Sequence, residues 1–141
     1  VSKTYWAIVR QRPAEPEGVL VDWLWRNERQ NKSYVCKPDR PGARRAELHY
    51  RLLASMERYH LLEIDLRTGR HHQIRCQLAH MGCPIKGDLK YGAERSNPDG
   101  GISLHARRIA FTHPVSGRSV EIVAPVPAGD ALWKALSEGM M

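Results

Sequence analysis

Leu66-Arg67-Thr68-Gly69-Arg70-His71-His72-Gln73-Ile74-Arg75 joins two patterns of different period. Before it, Leu62-Glu63-Ile64-Asp65-Leu66 alternates apolar and polar residues, as a strand with one buried face does. After it, Ile74, Leu78 and Met81 recur at i, i+4 and i+7, one face of a helix. A strand therefore feeds a helix through a tight turn. Thr68 is expected to cap that helix with its hydroxyl, and Gly69 to let the backbone turn without a Cβ. The first helical turn offers unpaired N–H groups that attract anions. Arg67, Arg70 and Arg75 add guanidinium groups suited to bidentate recognition of phosphate or carboxylate. The plainer alternative is a solvated basic helix start.

Working outward, residues 47–54 and 59–66 both read as strands, joined by Ser55-Met56-Glu57-Arg58 closely enough for an antiparallel hairpin. Further upstream, residues 4–9 form a β-branched and aromatic run that ends at a proline-bearing loop, residues 12–18. Residues 19–25 and 32–37 are further strand candidates. The turn-rich basic stretch 37–45, carrying Lys37, Arg44 and Arg45, reads as a flexible loop and, more sharply, as one facing RNA. Downstream, Gly82 stops the helix and Pro84 prevents its continuation. Residues 84–92 are a turn-rich loop and 93–101 a polar tip expected to be mobile. Residues 102–112 and 119–124 read as strands, and 131–136 as a short amphipathic helix. This order gives a mixed, mostly antiparallel sheet with a few helices, an α+β architecture in one domain over residues 1–141.

The 141 residues carry 22 Lys and Arg against 15 Asp and Glu, a net charge of +7. That excess favours a polyanionic partner, nucleic acid first. The three cysteines, Cys36, Cys76 and Cys83, are odd in number and lack a disulfide-framework spacing, which points to a reducing cytoplasm. No run approaches the ~18 apolar residues of a membrane span, so no membrane partner is expected. The chain starts at Val1 on a strand-like pattern, which reads as a piece of something longer. His72, Cys76, His80 and Cys83 are spaced as on one helix face and include zinc's usual ligand types, but structural zinc sites draw on two elements and Gly82 interrupts this helix. No metal is expected. His49, His60, His71, His105 and His113 show no carboxylate or nucleophile at motif spacing, and no phosphate-cradling glycine loop is present.

Four blocks taken together, residues 3–9, residues 67–75, Pro84-Ile85-Lys86-Gly87-Asp88 with Tyr91-Gly92, and Leu104-His105-Ala106 with His113-Pro114, resemble the RluA-type RNA pseudouridine synthases in content, order and spacing. The resemblance runs from Lys3 to about Pro125. It implies a mixed, mostly antiparallel central sheet and cofactor-free isomerisation of uridine to pseudouridine in structured RNA, ribosomal or transfer. It places the family's strand tyrosine on Tyr5, against the target base, and the last arginine of its TGRxHQxR motif on Arg75, paired with the catalytic carboxylate. Arg70 and His72 match motif positions that shape the site. Asp88 and Tyr91 match a loop beside it, and Leu104 and His105 are expected to support the core. RNA contacts are expected from Arg67, Arg70, His72, Lys37, Arg44 and Arg45.

The family's catalytic aspartate sits in an HRLD-type motif, which this sequence lacks. Asp22, Asp39, Asp65, Asp88, Asp99 and Asp130 stand in other contexts. The resemblance is therefore to the C-terminal half of the catalytic domain, with the N-terminal half as its expected partner and a piece inactive alone. A non-catalytic RNA-binding module on the same scaffold is the alternative.

Overall fold

A computed structural model describes residues 1–139. Seven strands form one sheet: β1 (Ser2–Val9), β2 (Glu17–Asn27), β3 (Lys32–Cys36), β4 (Arg44–Ser55), β5 (His60–Leu66), β6 (Leu104–Thr112) and β7 (Ser119–Val123). Their order is β3-β2-β4-β5-β1-β6-β7, and each neighbouring pair is antiparallel. Two helices, α1 (Gln73–His80) and α2 (Ala131–Glu138), complete an α+β fold.

The central strands bury both faces, which is why Trp6-Ala7-Ile8-Val9 is apolar throughout and no residue of it is more than 4% exposed. Ala7, Val9, Leu62 and Ile64 pack on one side with Leu48 and Tyr50 of β4 and with Ile74 and Leu78 of α1. Trp6, Ile8 and Leu61 pack on the other with Trp133 and Leu136 of α2. Each fully buried Leu or Ile contributes roughly 1.5–3 kcal/mol. The Asp130 carboxylate caps α2 by accepting from the Leu132 and Trp133 amides. No helix among the described residues is long and apolar enough to cross a membrane.

Three expectations change. Thr68 does not cap α1; the N-cap is His72, in the left-handed region at φ 52 and without a side-chain cap, while Gly69 is not in that region. Thr68 instead accepts from the Glu47 amide (2.9 Å) and donates to Gln73 Oε1 (2.8 Å). Arg44 and Arg45 begin β4 rather than lying in a loop, because their backbone pairs with Leu24 and Trp23. The 93–101 tip is tied down: Asn97 Nδ2 donates to Ser103 Oγ (3.1 Å) and Lys86 Nζ to Asn97 Oδ1 (2.6 Å).

Candidate active site

The turn before α1 is clamped to β4 by one buried side chain. Gln73 accepts from Thr68 Oγ1 and the Arg70 amide through Oε1, and donates through Nε2 to the Glu47 carbonyl (3.1 Å) and Gln77 Oε1 (3.0 Å). Gln77, also buried, donates to Asp22 Oδ2 (2.9 Å) on β2. A polar ladder thus fixes α1 across β4 and β2. Sequence reading missed both glutamines, although polar residues at i and i+4 on a buried helix face are the signal of such a ladder.

Arg75, half a turn into α1, makes a two-armed ion pair with Asp88: Nε to Oδ2 and Nη2 to Oδ1, both 2.8 Å. The carboxylate is fully buried and the arginine side chain 21% exposed. This hydrogen-bonded partner raises the Arg75 pKa above its ordinary value. The remaining terminal nitrogen, Nη1, lies 3.2 Å from His72 Nε2. A guanidinium only donates, so Nε2 accepts, and the proton of the neutral ring is assigned to Nδ1, which donates to the Tyr91 hydroxyl at 2.9 Å. Burial first, and the Arg75 charge next, pull the His72 pKa down to about 4 and keep the ring neutral. The Ser33 amide of β3 also donates to the Tyr91 hydroxyl (2.8 Å). His71 stacks on His72 with centroids 3.8 Å apart and bonds Ser33 Oγ and Asn31 Oδ1. Arg75 keeps one uncommitted N–H on each terminal nitrogen, available to a second anion.

The other expected residues lie apart from this centre. Arg67 pairs with Asp65 (3.2 Å), and Arg70 Nε donates to the Arg45 carbonyl (2.9 Å), so the three arginines of the turn have separate partners and form no common anion site. Arg45 is held by Glu47 (2.9 Å), whose pKa is lowered chiefly by its hydrogen bond from His49 and then by Arg45. Lys37 and Arg44 are exposed at the β3–β4 connection. Tyr5 is half-buried on β1 between Ile64 and Ala106, on the sheet face that carries α1. A register shift between Thr4 and Tyr5 bends the β1–β6 pairing there, as a bulge that re-aims a side chain does. Beside it Lys3, Ala106, Ile109 and Ile122 line an open depression of about 320 Å³. His105 bonds the Ala124 carbonyl and packs edge-on against Trp133, the supporting role expected of it.

The cysteine and histidine spacing on α1 does not converge. Cys76 Sγ faces the Ser33 carbonyl, Cys83 is in the core with Ile85, and among the described residues no group of three or more His, Cys, Asp or Glu is placed to hold a metal. Burial drives the Cys76 thiol up to about 11.

The sequence and the fold both find relatives among known proteins. Residues 1–80 match the family described as RNA pseudouridylate synthase. The chain belongs to that family. A Chloroflexus aurantiacus protein named as an uncharacterized RNA pseudouridine synthase is 43% identical over 127 residues, 89% of this chain and 39% of the relative. Ribosomal large subunit pseudouridine synthase D of Xanthomonas campestris is 40% identical over 113 residues, covering 70% of this chain and 34% of the relative. Among solved structures, human RNA pseudouridylate synthase domain containing 4 superposes with a TM-score of 0.71 at 25% identity, over 90% of this chain and 58% of that one. Its counterpart, domain containing 1, gives 0.69 at 23% identity over 92% and 58%, a likeness of fold. The chain thus spans about two fifths of the length of these and similar curated relatives. Asp88, which sequence reading matched only to a loop beside the site, is the buried partner of Arg75. Apart from the resemblance of that loop, its visible signal is an isolated acid in the basic stretch Lys86-Gly87-Asp88-Leu89-Lys90.

Proposed function

We propose that this chain supplies the Tyr5 and Arg75 side of an RNA pseudouridine synthase site, acting on uridine in structured ribosomal or transfer RNA. The observation that carries the reading is the state of Arg75. Asp88 holds it from one edge, and the opposite edge keeps donors for a second carboxylate. That second carboxylate is the nucleophilic aspartate, and it comes from outside the 141 residues. Asp22 receives Gln77, Asp65 pairs with Arg67, Asp88 is buried, Asp99 accepts from the Gly101 amide and Asp130 caps α2. Asp39 is exposed in the β3–β4 turn.

In the reaction, the bond from C1′ to N1 breaks, the uracil turns, and C1′ bonds to C5. A proton leaves C5 and N1 gains one, so no redox partner or cofactor is consumed. Tyr5 packs against the ring and assists removal of the C5 proton. Arg75 orients the attacking carboxylate and keeps it ionised. Arg67, Arg70, His72, Lys37, Arg44 and Arg45 contribute to RNA binding, His72 as a neutral hydrogen-bonding ring. Ribosomal RNA is the first substrate to test, since two relatives are named for the large ribosomal subunit. The free thiols fit a reducing cytoplasm.

The test is to delete the gene, map pseudouridine across ribosomal and transfer RNA, and restore the gene with Arg75 intact or changed to Ala. The reading requires one or more sites lost on deletion, regained with the wild type and not with Arg75→Ala. Unaltered modification after deletion would leave the non-catalytic RNA-binding module instead.

A further inference from the structure

A row of interleaved cations and aromatic rings leads from the β2–β3 hairpin to the Arg75 centre. At its outer end the Arg40 guanidinium lies 3.8 Å from the centroid of the Trp25 ring. Trp25 and Tyr34, opposite one another on β2 and β3, stack with centroids 6.2 Å apart. Lys32 Nζ, on the edge strand, stands 5.0 Å from the Tyr34 ring and 5.4 Å from Tyr91. Arg75 lies 5.0 Å from the same Tyr91 ring. The hairpin is locked to the site at its tip: Lys90 Nζ donates to the Gln30 and Asn31 carbonyls (3.1 and 3.0 Å), and the Ser33 amide to Tyr91. The surroundings are basic, with Arg26, Arg29, Lys37 and Arg44 exposed against Glu28 and Asp39.

We propose that this row is the track for the unpaired RNA strand next to the target uridine. Bases stack on Trp25 and Tyr34, while Arg40 and Lys32 pair with phosphates; Arg40 covers the Trp25 ring until a base replaces it. Sites for single strands combine a cationic path with aromatic platforms, and every base has a face to stack. The centres of protein–protein interfaces are instead depleted of lysine, which disfavours a protein occupant here. The proposal rests on the RNA pseudouridine synthase reading and adds the side from which the strand enters.

The experiment uses the protein as its gene encodes it and the RNA that loses pseudouridine on gene deletion. Ultraviolet crosslinking followed by peptide mass spectrometry should find RNA on the peptide containing Trp25 and Tyr34. Trp25→Ala should weaken RNA retention by about 5- to 150-fold, the range of one lost base stack, while Trp25→Phe restores most of it. Arg40→Gln should flatten the salt dependence of binding. A folded Trp25→Ala protein with wild-type affinity, or crosslinks confined to other peptides, overturns the track and leaves the enzyme reading standing. A wild-type protein that neither retains RNA nor restores any site removes both.

Discussion

Asp88 has no solvent to fall back on, so its worth is set by what Arg75 does without it. Changing Asp88 to Ala leaves a mostly buried guanidinium without its counter-charge, a loss of about 3–5 kcal/mol for such pairs. Changing Glu47 to Gln removes one charge from pairs whose other members, Arg45 and His49, are partly in water, and should cost much less. Urea unfolding of the two variants measures the contrast, and equal costs would refute the description of Asp88 as the anchor of the site. His72 makes a second prediction. The folded ring stays neutral down to about pH 4, whereas the unfolded ring takes up a proton near its ordinary value of about 6.5. The stability it contributes is complete above pH ~6.5 and is lost as the pH falls toward 4. His71 and His60 are lowered mainly by burial, with the same sign. Urea midpoints should therefore decline between pH 7 and 5, above the range where carboxylates titrate. In His72→Gln the decline should be shallower, and an identical slope would count against a neutral, donor-bound ring.

At the scale of elements, the loop between α1 and β6 is built around Gly87. Its φ is +86, and a Cβ there would meet Asn97 Nδ2 at 2.6 Å and the Gly101 carbonyl at 2.7 Å. Gly87→Ala should lose roughly 1–2 kcal/mol from the left-handed backbone alone, and more from the collision. It should also loosen the adjacent Asp88, lowering activity. Gly69→Ala has open space and no positive φ to oppose it, so its melting temperature should stay within a few degrees. Thermal melts of the pair decide this, and parity between them would contradict the loop geometry. The contrast also marks what the sequence made readable. The alternation in β5 and the apolar run in β1 show directly because burial dictates residue type along a strand. The TGR turn looked like a capped helix start because Thr68 is an N-cap residue type. Its hydroxyl went to Gln73 and the Glu47 amide instead, partners set by tertiary packing. The Arg75–Asp88 pair spans 13 residues of turn and helix and has no periodic signature. The motif pointed to an ion-paired Arg75, whereas its link through His72 and Tyr91 to Ser33 of β3 leaves no pattern in the sequence.

For the whole molecule, the surplus of seven positive charges is spread over turns and strand ends, with Lys37, Arg40, Arg44, Arg67 and Arg70 exposed. Such a surface neutralises phosphates and releases counterions wherever a strand lies along it. We expect these 141 residues to bind structured RNA weakly. If about four phosphates of a single strand are engaged, affinity should fall on the order of 50-fold between 50 and 200 mM salt. Discrimination among uridines should be slight, because phosphate contacts position a strand without reading it, and a flipped base must be held from both sides. Conversion should be absent, since none of the described carboxylates stands free beside Tyr5 and a tyrosine with an arginine cannot break a glycosidic bond without a nucleophile. Fluorescence titrations at several salt concentrations test the first part. Incubation with RNA from the deletion strain, followed by chemical mapping of pseudouridine, tests the second. Salt-independent binding would place recognition in apolar contacts such as the Trp25 and Tyr34 rings, and site-specific pseudouridine would mean that one of the aspartates assigned here to a structural partner does the chemistry.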